Sequence, residues 1–273
     1  MTEPSQNRSA VSGLRDDEEL ADGRPNSRHT YDGLAYIAHA DRLFAQGGIL
    51  WQFGHGSRQT WTFDFSNDTW RNMKPSGTAP NVSAGMLSAY DRNTKLVYIF
   101  DRNRGFHSYD FDTNTYTLLN DAAPSPNQWQ TATIDPKRKR FVAIGQTSAG
   151  GRTYVFDLAP DGTYAAETWT TTGANEIESV ASPGLAYDPV SDRIIAWGTR
   201  TTPSVNGDGS SVYALDLDTR VWTRLTFPGG PGAESLNGVF GRFEYVPALN
   251  IFVLANSPTR NVQILRLPRP PGR

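Results

Sequence analysis

Cysteine is absent from all 273 residues. That removes disulfides, thiolate metal sites and cysteine nucleophiles from consideration, and fits a reducing cytosol or a bacterial exterior equally well. Charge of one sign is lacking too: 26 Lys and Arg stand against 28 Asp and Glu. No global field draws such a chain to nucleic acid or to an anionic membrane. No basic stripe or RNA-binding motif is present either, so neither nucleic acid nor membrane is expected as a partner. No apolar run approaches the ~20 residues that span a bilayer. Hydrophobic residues make up only 37% of the chain, yet there are 13 Phe, 11 Tyr and 7 Trp, so large rings have to fill the interior.

What the chain does have is a repeat. Gly33-Leu34-Ala35-Tyr36 returns as Gly184-Leu185-Ala186-Tyr187. Aromatic stretches ending in an acidic-apolar pair recur at Thr60–Phe65, Phe106–Phe111, Arg152–Leu158 and Ser211–Leu217, with a fifth, altered copy at Asn261–Leu267. The period is roughly 45–60 residues with four short strand patterns per copy, the signature of a β-propeller. First strands are expected at Leu34–Ala38, Met86–Tyr90, Thr131–Ile134, Leu185–Tyr187 and Phe243–Val246. The hairpins that follow carry Asp91-Arg92, Asp135-Pro136 and Asp188-Pro189, because Asp bonds its own backbone and Pro presets φ. Second strands at Leu43–Ala45, Leu96–Phe100, Phe141–Ile144, Ile194–Trp197 and Ile251–Leu254 are continuously apolar, as strands buried on both faces are. Third strands alternate, and fourth strands carry Trp70, Tyr116, Trp169 and Trp222 after polar turns such as Asp110–Asn114. The segment Thr201–Gly209, rich in Gly, Ser and Asn, reads as a loop insertion.

The fold class is therefore all-β: a propeller of four-stranded antiparallel blades, five in this chain, with the last incomplete. Pro268-Arg269-Pro270-Pro271 follows the third strand of the last copy, and proline cannot donate to a ladder. Val11–Leu14 is the only N-terminal stretch with strand character to complete it. Residues 1–28, polar and acidic at Asp16–Glu19, are expected to be a disordered tail without a signal peptide. Residues 29–267 form the propeller, and 268–273 a Pro-rich tail.

The segments Asp22–Tyr31, Ser182–Pro189 and Gly238–Leu254 resemble bacterial kelch-like, galactose-oxidase-type propeller proteins, a likeness running over Arg24–Leu267. The resemblance implies the propeller architecture and a secreted protein, in a group whose members carry a secretion signal and a further upstream blade. Neither is present in this sequence. Of the kelch Gly-Gly doublets only Gly47-Gly48 survives. A copper radical oxidase is excluded because its cross-linked tyrosine needs a cysteine, and no cofactor or metal is expected.

Loops entering first strands and loops joining second to third strands open at the same end of a propeller blade, the usual ligand face. His29 and Tyr31 enter the first blade, His55 lies in its two–three loop, and His107 begins the next blade's third strand. His39 falls in a hairpin at the other end. Arginine recurs in every two–three loop: Arg58, Arg102 with Arg104, Arg152, Arg200 and Arg260, with Arg28 beside His29. Guanidinium forks match carboxylate and sulfate oxygens, and Trp51, Tyr31 and Trp129 supply stacking surfaces. This pattern suits a non-catalytic module that binds an acidic polysaccharide or a protein partner. The plainer reading is turn chemistry, each Arg pairing with a nearby Asp. Two alternatives stand beside it. A polysaccharide lyase would use His29, Tyr31 and His55 as acid and base while Arg neutralises a uronate carboxylate. A purely structural protein-interaction module would use none of them.

Overall fold

A computed structural model of the chain describes residues 18–20, 22–50, 56–81, 84–103, 105–158, 163–200 and 209–268. Val11–Leu14, Trp51, His55, Arg104 and all but the last residue of the Thr201–Gly209 insertion lie outside the described residues. The described chain is strand and turn, with 3₁₀ turns at Asn175–Ser179 and Phe240–Arg242. It divides into two compact units, Met1–Gln128 and Trp129–Arg273.

The first unit holds blades 1 and 2. Blade 1 is the antiparallel meander Leu34–Ile37, Arg42–Gln46, Thr60–Asp64 and Thr69–Asn72; blade 2 is Leu87–Asp91, Leu96–Phe100, Phe106–Asp110 and Thr115–Asn120. Ala35, Phe44, Met86, Ile99 and Tyr109 pack together between them. Upstream of blade 1, in the stretch expected to be a loose tail, Glu19 bridges Pro25 and the Asn26 N–H donates to the Glu18 carbonyl at 3.0 Å.

The second unit holds blades 3 to 5. Blade 3 is Gln130–Asp135, Arg140–Thr147, Gly150–Asp157 and Ala166–Trp169; blade 4 is Gly184–Asp188, Arg193–Trp197, Ser211–Asp216 and Val221–Thr226. Blade 5 stops after three strands, Phe243–Val246, Ile251–Leu254 and Gln263–Leu265. One core lies between blades 3 and 4, built on Val142, Val155, Ile194, Leu215 and Trp222. A second lies between blades 4 and 5, around Ile195, Trp197, Val212, Phe243 and Phe252. The second strands are buried as their unbroken apolar runs require, and Trp197 is 2% exposed.

The hairpin chemistry is local and repeats. Asp91, Asp135 and Asp188, all buried, accept backbone N–H groups two residues on, at 3.0 Å in each case. Asp64, Asp110 and Asp216 do the same at the turn into the fourth strand. The last residue of these turns adopts positive φ, as at Asp41, Lys95, Lys139, Asp192 and Asn250, which closes the hairpin on a left-handed step. At four of these Asp or Asn positions a tyrosine five residues back caps the side chain: Tyr36 on Asp41, Tyr109 on Asn114, Tyr187 on Asp192 and Tyr245 on Asn250.

Register aligns the blades residue by residue. One row runs Tyr36, Leu43, Phe63, Trp70 across blade 1 and Tyr90, Val97, Tyr109, Tyr116 across blade 2. The same row is Ile134, Phe141, Phe156, Ala166 in blade 3 and Tyr187, Ile194, Leu215, Trp222 in blade 4. Trp169, expected to match the other fourth-strand aromatics, instead pairs with Thr153 three positions further along. There it lies under the Arg140 and Arg220 guanidinium groups, at 5.3 and 4.5 Å from the ring.

Candidate functional site

Antiparallel neighbours reverse direction, so within each blade the entry to the first strand and the two–three connection share one end. Four arginines at the opposite, hairpin end are ion-paired. Arg42 pairs with Asp64, Arg138 with Asp135, Asp192 and Asp218, Arg193 with Asp216 and Arg220 with Glu167, all at the hairpin end. Among the described residues, the guanidinium groups of Arg58 and Arg102 in the first unit and of Arg152, Arg200 and Arg260 in the second have no carboxylate oxygen within 4.0 Å. The plainer expectation, that loop arginines pair with a local carboxylate, holds for Arg42, Arg138, Arg193 and Arg220, and not for these five.

Their other contacts are light. Arg58 and Arg260 are exposed; Arg102 reaches Gln128 Oε1 at 3.5 Å; Arg152 donates to the Gly151 carbonyl at 2.7 Å; Arg200 donates to the Leu236 carbonyl. Arg28 is different. Its guanidinium donates to Ser57 Oγ (2.6 Å), to the Asn26 and Glu18 carbonyls (3.1 Å each) and to the Gly47 carbonyl (3.4 Å). Burial brings its pKa down to about 10, against the opposing pull of Glu18. It clamps the upstream segment onto blade 1.

His29 and Tyr31 come together: their rings stack with centroids 4.0 Å apart. Partial burial lowers the His29 pKa, so the imidazole is neutral near pH 7. Burial raises that of Tyr31, with Arg102 acting the other way. Tyr31 also holds φ at 55°, an uncommon conformation for an aromatic residue. His107 is buried, with Nε2 3.1 Å from Asp101 Oδ2 and Nδ1 3.0 Å from the Thr78 carbonyl, so it ties a loop together. His39 bonds the Tyr90 hydroxyl at 2.8 Å at the hairpin end. Trp129 is half-buried and its carbonyl accepts the Ser182 N–H at 2.6 Å. No group of three His, Asp or Glu among the described residues is placed to hold a metal ion.

Two buried carboxyl groups have no sequence signal, since an acid in a polar loop looks the same whether exposed or enclosed. Glu178 Oε1 accepts from Thr153 Oγ1 (2.6 Å), Thr171 Oγ1 (2.8 Å) and the Trp222 indole (2.9 Å), joining blades 3 and 4. Glu234 Oε2 accepts the Thr199 and Arg200 N–H groups at 2.6 and 3.0 Å, while its buried Oε1 has no partner. Burial pushes the Glu234 pKa up to about 7, against the pull of those N–H groups and of Arg200 and Arg242. An unfolded Glu titrates near 4.3. Below about pH 4 both states are protonated and the site costs nothing. As pH rises toward 7 the unfolded chain loses its proton first, so stability falls, by up to about 3 kcal/mol. Glu234→Gln is expected to abolish that decline between pH 5 and 8 in urea titrations. An unchanged decline would assign it to other groups.

The class defined by these sheets is the β-propeller, with five blades and almost no helix. No family model matches the chain. Among solved structures it is similar to hydrazine synthase of Kuenenia stuttgartiensis, at 11% identity and a TM-score of 0.52, covering 86% of this chain and 58% of that one. It is also similar to the Cps50 (Swd1) β-propeller domain of Myceliophteria thermophila, at 11% identity and a TM-score of 0.53, covering 90% and 67%.

Proposed function

We propose that the protein is a non-catalytic interaction propeller that engages an acidic partner through its loop-end arginines. The reading is supported by the recurrence of Arg58, Arg102, Arg152, Arg200 and Arg260 with guanidinium groups that meet no carboxylate among the described residues, whereas Arg42, Arg138, Arg193 and Arg220 at the hairpin end are ion-paired. A guanidinium without an internal carboxylate keeps its bidentate fork for a ligand. The finer kinship, to bacterial kelch-like, galactose-oxidase-type propellers, rests on Asp22–Tyr31, Ser182–Pro189 and Gly238–Leu254.

Polyglutamate and polygalacturonate, titrated side by side, distinguish an acidic protein segment from an acidic glycan. Arg58→Ala with Arg102→Ala is expected to weaken the favoured polymer by about 1.5–3 kcal/mol per lost contact and to flatten its salt dependence. The fold should move by less than about 0.5 kcal/mol, since both side chains are exposed. Binding unchanged for both polymers would reduce the loop-end arginines to surface chemistry.

The stacked His29–Tyr31 pair near Arg102 favours one second reading, uronate β-elimination. A neutral imidazole can take the α-proton, and a guanidinium beside the carboxylate stabilises the resulting anion. Appearance of an unsaturated uronate, lost in His29→Ala with polymer binding retained, would establish it. Its absence across acidic glycans leaves the binding reading.

A further inference from the structure

Among the described residues blade 5 ends on its third strand. In blades 1, 2 and 4 the shared row ends on a fourth-strand aromatic: Phe63 faces Trp70, Tyr109 faces Tyr116 and Leu215 faces Trp222. In blade 5 the row runs Tyr245, Phe252, Leu265 and ends. Arg266 stands where the other blades have Asp64, Asp110, Asp157 and Asp216, and Pro268 follows. The turn that would fold a fourth strand back thus lacks its carboxylate acceptor and one N–H donor.

The other side of the slot is shaped as well. After a fourth strand, the chain of one blade reaches the outer edge of the next. Ser76–Gly77 pairs parallel with Thr115 and Tyr116, and Thr172–Gly173 with Val221 and Trp222. Each glycine lies seven positions after its own blade's row residue (Trp70 to Gly77, Ala166 to Gly173), and Trp222 leads by the same step to Gly229. All three share a backbone, with φ of 81°, 78° and 78°. A Cβ at Gly77 or Gly173 would collide with the carbonyl of Tyr116 or Trp222, whereas one at Gly229 would meet nothing within 4 Å. Between Gly229 and Leu265 lies a groove of about 210 Å³, walled by Trp197, Val212, Phe227, Phe243 and Phe252. A benzene ring fits an apolar cavity of about 150 Å³. In the same wall Gln263 Oε1 is buried without a hydrogen-bond partner, and Val262 and Ile264 are exposed on the edge at 54% and 68%.

We propose that this slot binds an extended segment of a partner protein. The segment pairs antiparallel with Gln263–Leu265 and runs parallel to Pro228-Gly229, with a Trp or Tyr between Leu265 and Gly229. The ring fills the groove and its N–H or O–H donates to Gln263 Oε1. A β-branched residue precedes it, as Thr69, Thr115 and Val221 precede the aromatics of the other blades. Residues 1–17 and 269–273 contain no aromatic residue to fill the groove. Nor does the Gln263–Leu265 edge of a second copy.

The probe is a fluorescein-labelled peptide copying Thr219–Phe227, read by anisotropy against the full chain, with a Trp222→Ala peptide as control. The tryptophan peptide is expected to bind at least about tenfold tighter than the control and to slow amide exchange at Gln263–Leu265. Gly229→Asn places a side chain that tolerates the positive φ where the peptide carbonyl has to sit, and Ile264→Lys puts a charge on the edge. Each should weaken binding by a similar factor while leaving the thermal midpoint within a few degrees, so a folding defect in one variant leaves the other as the test. Equal binding of the two peptides, or none, overturns the proposal. So does slow exchange at Gln263–Leu265 before peptide is added: if independent of protein concentration the chain's own residues fill the slot, and if rising with it a second copy does.

Discussion

Trp222→Ala should destabilise the second unit by about 3–5 kcal/mol, the range for deleting a buried Trp. The ring is 2% exposed and packs among Val155, Trp169, Ile177 and Tyr213. The substitution opens a void between blades 3 and 4 and also removes one of three donors on Glu178 Oε1. Trp222→Phe separates the effects. It keeps most of the packing, and the loss of a hydrogen bond to a buried carboxyl oxygen should then cost about 1–3 kcal/mol. Urea unfolding followed by far-ultraviolet circular dichroism measures both. A loss under about 1 kcal/mol for the alanine variant would mean that the blade interface does not hold this unit together.

Replacing Arg138 with methionine is expected to cost about 3 kcal/mol at pH 7. The side chain is 12% exposed and reaches Asp135 (3.2 Å, fully buried), Asp192 (2.8 Å) and Asp218 (2.7 Å). It thereby ties a blade 3 hairpin to two hairpins of blade 4. Removing the cation leaves the fully buried Asp135 without its counter-charge, the costly half of breaking an ion pair, and leaves Asp192 with Lys137 alone. Asp218 is exposed and contributes little through water. Hydrogen bonds from Arg138 hold the Asp192 carboxyl well below the usual carboxylate range, with smaller help from Lys137 and Tyr187. A carboxylate held low stabilises the fold above its unfolded pKa near 3.9, and that stabilisation fades as pH falls further. The penalty of Arg138→Met should therefore be full at pH 7 and shrink below about pH 4. A penalty independent of pH would make Arg138 a packing residue only.

Much of the fold was legible because its determinants are local. Alternating and unbroken apolar runs located the strands. Asp91, Asp135 and Asp188 marked hairpins because each carboxylate bonds N–H groups only two or three residues on. The stop after the third strand of blade 5 followed from Pro268. The candidate site was less legible. The recurrence of arginine in two–three loops was visible, but not that Arg28 would turn inward onto Ser57 and the Glu18 carbonyl. Trp169 looked equivalent to Trp222, yet Ala166 occupies that row, because register depends on the partner strand and not on spacing from an Asp.

By itself, then, the sequence determined the repeat, the turn chemistry and the five-blade count, since these follow from side chains acting on their own backbone within a few residues. Only the tertiary structure decided which polar groups are enclosed and what they meet. Glu178 gathers donors from Thr153, Thr171 and Trp222, and Glu234 is desolvated beside Thr199. Gly229 faces a slot where Gly77 and Gly173 face carbonyls. Burial and pairing are set by residues distant in sequence, and a carboxyl group or a glycine carries no mark of its surroundings until the chain has folded around it.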